Sequence, residues 1–322
     1  MSQNLGFLGV FTDLNSSRVA LLPVPWEVTT SYGGGTALGP EAIFDASPQL
    51  DLFDDDVKDA YKQGYHWLPV KSEIVDLGRS VKPDSTENLT EKQTTEINQA
   101  CQKMVDWVYS ETKNLLLQKK IPAVVGGDHS VSLGIIKSLS EHYEGQFGVL
   151  HFDAHMDLRK AYQGLTYSHA SIMRNVMELE KPPQKLVQVG IRDYCEEEAD
   201  YAASNSAVVE YLDRDLKKQM FDGENWTSLC REIVNQLPQQ VYISFDIDGL
   251  SPEFCPGTGT PVPGGLSFDQ AVHLLSVLGE SGRTVIGFDL VEVAPQGESQ
   301  WDGNVGARLL QKMCGWSVIS HG

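Results

Sequence analysis

The sequence predicts a single α/β domain, residues 1–322, in which a mainly parallel β-sheet is flanked by helices in a three-layer arrangement. Two observations carry this prediction. Short apolar runs of strand length alternate along the chain with longer patterns of helical period, which is typical of βαβ units. The short runs are also apolar throughout, as expected for strands that are covered on both faces. We find no internal repeat and no low-complexity linker that would divide the chain.

The individual elements follow from these two patterns in chain order. Polar residues 79–93 are predicted to form a loop, and the crossovers between parallel strands are expected to be right-handed. The strand-like runs, rich in Val, Ile, Leu and Phe, lie at 18–22, 123–125, 147–152, 186–189, 208–211, 241–245 and 284–290. The helical patterns lie at 94–118, 131–143, 170–177, 196–203, 226–236, 268–278 and 303–313.

The charge of the chain limits its partners. It carries 25 Lys and Arg against 44 Asp and Glu, a net charge of −19. This balance disfavours nucleic acid, because affinity for nucleic acid comes mainly from Lys and Arg on phosphates, and it disfavours anionic membranes. An acidic protein attracts metal ions and small cationic substrates, although an ordinary soluble cytosolic protein would fit the same charge.

The cysteines and the N-terminus predict a cytoplasmic protein. The cysteine count is odd and no pair has a C-x-x-C spacing, which favours reduced thiols. Residues 1–5 lack the basic and apolar regions of a signal peptide, and no apolar run approaches the ~18 residues of a membrane helix. The cysteines are Cys101, Cys195, Cys230, Cys255 and Cys314.

Acidic residues and histidines concentrate in three short segments, each directly after a predicted strand. The segments are Gly-Gly-Asp-His-Ser at 126–130, Asp-Ala-His-Met-Asp at 153–157 and Asp-Ile-Asp at 246–248. Buried carboxylates must be paired, protonated or bound to a cation, and sites in open parallel sheets form at the carboxyl ends of strands. The segments together predict a metal site, although each alone would fit a surface turn or a strand end. Ser130 is the expected N-cap of the helix that follows.

The spacing within the segments predicts which side chains share a site. In an extended chain, residues i, i+2 and i+4 point to one side, so the acids and the histidine of 153–157 converge, as do the acids of 246–248. So many ligands favour two divalent ions that share carboxylates. Oxygen-rich ligation with one histidine per ion favours Mn²⁺, with Ni²⁺, Co²⁺, iron and Zn²⁺ left open. The predicted ligands are His129, Asp153, His155, Asp157, Asp246 and Asp248.

With these motifs the chain resembles the ureohydrolase family, the arginases, agmatinases and their relatives, over about residues 21–310. Pro-Gly-Thr-Gly-Thr-Pro-Val-Pro-Gly-Gly at 256–265 and Val-Glu-Val-Ala-Pro at 291–295 belong to the same resemblance. It implies an arginase-like fold and the hydrolysis of a guanidino or amidino C–N bond, which releases urea and an amine from a small cationic substrate. It also implies two Mn²⁺ ions per chain and a homotrimer or homohexamer.

The resemblance assigns roles residue by residue. His169 would move protons, with packing at a helix start as the alternative. Glu292 would hold the guanidinium group, with a structural ion pair to an arginine as the alternative. Together with Asp157 these are the predicted catalytic residues. The implied ligand sets are His129, Asp153, Asp157 and Asp246 for one ion and Asp153, His155, Asp246 and Asp248 for the other, with Asp153 and Asp246 as bridges.

Some positions depart from the family pattern. Ser251 stands where many members carry Asp, which concerns the residues that support the metal ligands and not the ligands themselves. Residues 158–168 lack the Ser- and Asn-rich loop with which arginases grip an amino acid, which favours the agmatinases. Agmatine is therefore the predicted substrate, while another guanidino compound or formiminoglutamate stays open. Arg159 or Arg192 could hold a substrate carboxylate or be structural. A single-zinc amide deacetylase and a non-catalytic family member are the alternatives of a different class.

Overall fold

A fully parallel sheet lies at the centre of the structure, a computed structural model that describes residues 6–322. In this part of the chain the sheet has eight strands in the order β2-β1-β3-β8-β7-β4-β5-β6. The strands are β1 (Val19–Val24), β2 (Tyr65–Trp67), β3 (Ile121–Gly126), β4 (Gly148–Phe152), β5 (Lys185–Ile191), β6 (Val208–Leu212), β7 (Gln240–Asp246) and β8 (Thr284–Val291).

Helices cover both faces of the sheet and complete the predicted three layers. One core packs beneath α1 and α7 to α10, and the other beneath α2 to α6. No helix within residues 6–322 is long and apolar enough to cross a membrane. The α-helices are α1 (Gly39–Ala46), α2 (Ser72–Val81), α3 (Glu91–Leu117), α4 (Ser132–His142), α5 (Ile172–Met177), α6 (Glu196–Ser204), α7 (Asp213–Phe221), α8 (Trp226–Asn235), α9 (Phe268–Glu280) and α10 (Trp301–Ile319).

Each central strand supplies side chains to both cores. In β7, Val241, Ile243 and Phe245 face one core and Tyr242 faces the other. Because side chains alternate across a strand and both faces are covered, the strand reads as one continuous apolar run. The α/β class and the parallel sheet predicted from these runs are confirmed. None of the five cysteines is paired in a disulfide.

The structure contains elements that the sequence patterns do not predict. The edge strand β2 has three residues, too few for a periodic signal. Helices α1, α2 and α7 are also unpredicted; α7 buries only Asp213 and Leu216, so it has no apolar stripe. The loop predicted at 79–93 is wrong at both ends. Helix α2 extends to Val81, and α3 begins at Glu91 behind a Thr90–Gln93 capping box.

The strand order brings the acidic motifs together. The motifs follow β3, β4 and β7, and the predicted catalytic glutamate follows β8. These four strands are neighbours in the order β3-β8-β7-β4, although they are far apart in the chain. Their carboxyl ends therefore meet at one edge of the sheet, the place where parallel α/β sheets form their sites.

Candidate metal centre

A tight loop after β3 leads the chain to the first predicted ligand. Gly127 and Asp128 donate their backbone N–H groups to the carbonyls of Val24 and Trp26 at 2.9 and 2.8 Å. A Cβ atom on Gly127 would lie 1.8 Å from the Trp26 carbonyl oxygen, so this approach to the loop after β1 requires glycine. The contact sets the position of His129, the next residue but one.

The turn that carries His129 is capped by Asp128, so the prediction that Ser130 is the N-cap is wrong. Asp128 Oδ1 accepts the backbone N–H of Ser130 at 3.2 Å, and a 3-10 turn precedes α4. Asp128 Oδ2 accepts the backbone N–H groups of Val28 and Thr29, both at 3.0 Å. A carboxylate has more acceptor sites than a hydroxyl. Asp128 can therefore accept from its own turn and from the loop after β1 at once, and it joins the two.

His129 directs one ring nitrogen at three carboxylates. Its Nε2 lies 2.9 Å from Ser244 Oγ. Its Nδ1 lies 3.1 Å from Asp157 Oδ2, 3.2 Å from Asp153 Oδ2 and 3.4 Å from Asp246 Oδ2. All these residues are buried, and Nδ1 has no hydrogen-bond partner among the described residues. An orphaned imidazole nitrogen and three carboxylate oxygens around one buried point fit a divalent cation.

A second cluster adjoins the first and shares Asp153 with it. His155 Nδ1 lies 3.2 Å from Asp248 Oδ2 and 3.4 Å from Asp153 Oδ1. Asp153 therefore presents one oxygen to His155 and the other to His129, as a carboxylate between two ions would. Asp246 presents its Oδ2 to His129 Nδ1, and its Oδ1 accepts the backbone N–H of Asp248 at 2.9 Å. The two groups form a His/Asp cluster suited to a binuclear metal site.

The extended geometry expected for residues 153–157 is wrong at its last residue. Asp157 has a φ of +54°, in the left-handed region that Asp enters more often than most residues. The turn brings its carboxylate to His129 Nδ1 rather than along the strand direction. Convergence at this point depends on a turn and not on strand periodicity.

The cluster retains protons in the metal-free protein. Burial alone would lower the pKa of His129, but the carboxylates of Asp153, Asp157 and Asp246, which lie close to its Nδ1, raise that pKa well above its usual value. Burial, together with the charges of Asp248 and Asp153, raises the pKa of Asp246 well above its usual value. Carboxylates in contact cannot all stay ionised without a compensating cation, so the cluster favours bound positive charge.

His169 lies beside the cluster at the start of a 3-10 turn. Its backbone N–H donates to Thr29 Oγ1 at 3.0 Å. Its ring Nδ1 lies 3.3 Å from Ser168 Oγ, and its Nε2 lies 3.5 Å from Ser31 Oγ. Burial lowers the pKa of His169, which favours the neutral imidazole. The ring lines the same pocket as Asp157.

Glu292 follows β8 and turns into the same region. It has a φ of +65° and is buried, and its Oε1 accepts the backbone N–H of His129 at 2.8 Å. Burial and the charge of Asp128 raise the pKa of Glu292 well above its usual value. No Lys or Arg of residues 6–322 forms an ion pair with it, so the structural pair with an arginine is absent from the described chain. A buried carboxylate without a cation favours a cationic ligand.

A pocket of about 280 Å³ opens onto the cluster. Its lining includes the buried Asp157, together with His155 and His169, and the exposed side chains of Tyr32 and Asp193. A larger groove of about 830 Å³ lies elsewhere, beside α1 and β2, and none of the clustered histidines and acids of the metal site line it. The chemistry of the lining therefore identifies the site better than cavity size does.

Sequence reasoning missed two buried residues, His151, which contacts the site directly, and Asp289, which reaches His129 through Ser244. His151 is fully buried in β4, with Nε2 2.8 Å from Asp153 Oδ2. The available signal was its position two residues before Asp153, which puts both side chains on one face of an extended segment. Asp289 is a carboxylate inside an apolar strand; it accepts the Tyr242 hydroxyl at 2.5 Å and the backbone N–H of Phe245 at 3.2 Å.

Comparisons with known proteins agree with this geometry. A family model described as the arginase family matches residues 17–315. The chain belongs to the arginase family. An N(1)-aminopropylagmatine ureohydrolase of Synechocystis sp. is 30% identical over 308 residues, which cover 95% of this chain and 90% of that protein. An agmatinase of Proteus mirabilis is 32% identical over 278 residues, 84% of this chain and 78% of that protein.

A solved structure shows the same arginase fold. Proclavaminate amidino hydrolase from Streptomyces clavuligerus superimposes with a TM-score of 0.79, at 24% identity and over 99% of each chain. The family model and the two relatives confirm the resemblance to the ureohydrolases seen in the motifs. The arginase-family fold places the loops after β3, β4, β7 and β8 around the candidate centre.

Two arginines near the centre of this arginase-family protein already have partners. Arg159 Nε lies 3.5 Å from Glu198 Oε2, and its guanidinium lies 5.0 Å from the centre of the Tyr162 ring. Arg192 has a structural role, because its guanidinium joins the end of β5 to two other segments through backbone carbonyls. The carbonyls that accept from it are those of Gly190, Asp248, Leu250 and Val262.

Proposed function

We propose that this protein is a manganese-dependent hydrolase that binds two metal ions and cleaves the guanidino C–N bond of agmatine or a closely related amine. The products would be urea and an amine. The observation that supports this best is the position of Asp153, whose Oδ2 faces His129 Nδ1 at 3.2 Å and whose Oδ1 faces His155 Nδ1 at 3.4 Å. A carboxylate between two histidine-bearing clusters suits two metal ions that share a bridging ligand. A single-zinc deacetylase does not need such a ligand.

The proposed metal ligands divide between the two clusters. Asp153 is the bridge that the geometry supports directly; Asp246 Oδ2, 3.4 Å from His129 Nδ1, is the second proposed bridge. Carboxylate oxygens outnumber imidazole nitrogens, which favours Mn²⁺ over a structural zinc site. The complete proposed set is His129, Asp153, His155, Asp157, Asp246 and Asp248.

The residues around the ions have separate tasks in this proposal. When bound, the ions would supply Lewis-acid charge and a water of lowered pKa. Glu292 would pair with guanidinium N–H groups and orient the trigonal carbon. Asp157 lines both the cluster and the pocket and would hold the attacking water by a hydrogen bond. His169, kept neutral by burial, would accept a proton from the attacking water and pass it to the departing amine.

The outer pocket favours a cationic substrate tail. Arg192 is engaged with backbone carbonyls and Arg159 faces Glu198, so neither is a free anchor for a carboxylate. Asp193 lies in the pocket lining with its side chain 68% exposed and has no Lys or Arg partner in residues 6–322. This charge pattern suits agmatine, and it suits the aminopropyl-extended substrate named for the Synechocystis relative. It disfavours guanidino acids and formiminoglutamate.

A urea-release assay tests the proposal. Protein stripped with a chelator and reloaded with Mn²⁺, and in parallel with Ni²⁺, is assayed for urea with agmatine, N(1)-aminopropylagmatine, a guanidino acid and free guanidine, and for formamide with formiminoglutamate. We expect urea from the two cationic-tailed guanidines and two Mn²⁺ per chain by metal analysis. Absence of urea from every guanidine would contradict the proposal. One zinc per chain with acetate release from acetylated amines would establish the deacetylase instead.

The assembly and the compartment are proposals of the same kind. By resemblance to the family we propose a cytoplasmic homotrimer or homohexamer. Light scattering coupled to size-exclusion chromatography measures the assembly mass, and fractionation of the source cells locates the protein. A monomer in solution, or recovery from another compartment, would contradict these proposals without affecting the chemistry.

A further inference from the structure

His151 is a buried histidine that the proposed reaction does not use. It lies in β4 with a fully buried side chain. Its Nε2 is 2.8 Å from Asp153 Oδ2, the same oxygen that faces His129 Nδ1 at 3.2 Å. His151 also lies in a group with His129, Asp153 and Asp157 whose ligand atoms are close enough together to hold a metal ion. Which ring nitrogen carries the hydrogen decides whether His151 donates a hydrogen bond to Asp153 or binds a metal ion.

A chain of hydrogen bonds determines where that proton lies. The backbone carbonyl of Met156 can only accept, so the group 2.7 Å from it must be the Gln188 amide nitrogen and not its oxygen. The same nitrogen lies 2.9 Å from His151 Nδ1 and donates its second hydrogen there. Nδ1 is therefore the unprotonated acceptor, and the neutral ring carries its hydrogen on Nε2. That hydrogen points at Asp153 Oδ2.

Asp153 is consequently held at both oxygens. Oδ2 accepts from His151, and Oδ1 accepts the backbone N–H of His155 at 2.6 Å. Each carboxylate oxygen has about two acceptor sites, so one site on each remains open, toward His129 on one side and His155 on the other. The two donors prevent the carboxylate from rotating out of the bridging orientation.

We propose that His151, held as its Nε2–H tautomer by Gln188, is a positioning residue that orients Asp153 to bridge the two ions and is not itself a ligand. This inference rests on the proposed binuclear site. Hydrogen-bond partners of this kind typically change metal affinity by ~10–100-fold when they are removed. Gln188 reaches Asp153 through His151, so the effects of the two residues on metal affinity should be less than additive.

Four variants test the inference: His151→Phe, which removes the donor; His151→Gln, which can place an amide donor near the former Nε2; Gln188→Met; and the double variant H151F/Q188M. Mn²⁺ affinity is measured by competition with a chelating dye, and the number of ions per chain by elemental analysis at saturating Mn²⁺. Circular dichroism and thermal melting of the metal-free proteins show which variants fold, and His151→Gln and Gln188→Met carry the test if His151→Phe does not.

The expected result is that H151F weakens Mn²⁺ binding ~10–100-fold while still taking up two ions at saturation. Q188M should weaken it less, H151Q should restore part of the loss, and H151F/Q188M should be no weaker than H151F. One ion per chain in H151F would make His151 a ligand and overturn the inference. Unchanged affinity in Q188M, together with unchanged affinity in H151F where that variant folds, would overturn it as well. Failure of the unmodified protein to bind two ions would instead refute the proposed function.

Discussion

The backbone N–H of His129 donates to Glu292 Oε1 at 2.8 Å, so one hydrogen bond joins the loop after β3 to the loop after β8. These loops leave neighbouring strands, which pair in parallel from Ala123 with Phe288 to Val125 with Leu290. Strand register therefore sets the distance between His129, a proposed metal ligand, and Glu292, the carboxylate proposed to bind the substrate. Metal binding and substrate orientation depend on the same pair of loops.

Replacing a bridging carboxylate should remove metal and activity together. Asp153→Ala and Asp246→Ala each delete an oxygen within 3.4 Å of His129 Nδ1, so the remaining ligands would bind Mn²⁺ weakly. Elemental analysis and the urea assay measure both properties. Asp200→Ala, at an exposed position of α6, is the matched charge control and should change neither. Full metal content in both site variants would refute the bridging assignment.

Metal uptake should release protons. Burial alone would lower the pKa of His155, but the charge of Asp248 and hydrogen bonds to Asp153 and Asp248 raise that pKa to about 12 in the metal-free protein. A histidine ligand must be neutral, so Mn²⁺ displaces this proton at neutral pH. Affinity should then rise up to ~10-fold per pH unit for each proton displaced. Calorimetry in buffers of different ionisation enthalpy counts the protons; none released would be the contrary result.

His169→Asn should slow turnover by ~10²–10⁴-fold, the usual range for a lost general acid or base. Metal content should stay at the wild-type level, because His169 lies beside the cluster and makes its close contacts to Ser31, Ser168 and Thr29. Steady-state kinetics and metal analysis are compared with His273→Asn, whose ring lies near Thr227 on α8. Loss of metal in His169→Asn would make the residue a ligand.

Glu292→Gln should impair substrate binding with little effect on metal. The amide oxygen can still accept the His129 N–H, but the charge that would pair with a guanidinium is lost. A hydrogen bond to a charged group is worth about 1.5–3 kcal/mol, which corresponds to ~10–100-fold in kcat/KM. The raised pKa of Glu292 also predicts that kcat/KM falls as pH decreases, since protonation removes the same charge. An unchanged kcat/KM would exclude Glu292 from substrate binding.

Gly33→Ala should disturb the contact between the loops that carry Gly33 and Gly259 more than Gly34→Ala does. A Cβ on Gly33 would lie 2.6 Å from the Gly259 carbonyl oxygen, which also accepts the Gly33 N–H at 2.9 Å. A Cβ on Gly34 would meet only Glu27 Oε1, at 3.1 Å. Overpacking of this kind typically costs about 1–3 kcal/mol. Thermal melting and kcat/KM measure the difference; equal behaviour of the two variants would show that the loop contact is dispensable.

Much of the architecture is predictable because its signals are local. Strand β7 is recognised from its apolar run, and the helix at 94–118 from its period, since each pattern lies within one segment. Strand β2 and helix α7 lack such patterns and become visible only when they pack against the sheet. His151 is overlooked for a similar reason: its role depends on Gln188, on the neighbouring strand β5.

The amino-acid sequence by itself determined that carboxylates and histidines follow the ends of apolar strands. Through those motifs it indicated the family, a metal site and a cationic substrate. Only the tertiary structure decided how these groups meet. It separated the two oxygens of Asp153 between two histidines, turned Asp157 through a positive φ, and engaged Arg159 and Arg192 elsewhere. The physical reason is that residue type and local pattern reside in one segment, whereas orientation at the site depends on hydrogen bonds and packing between segments far apart in the chain.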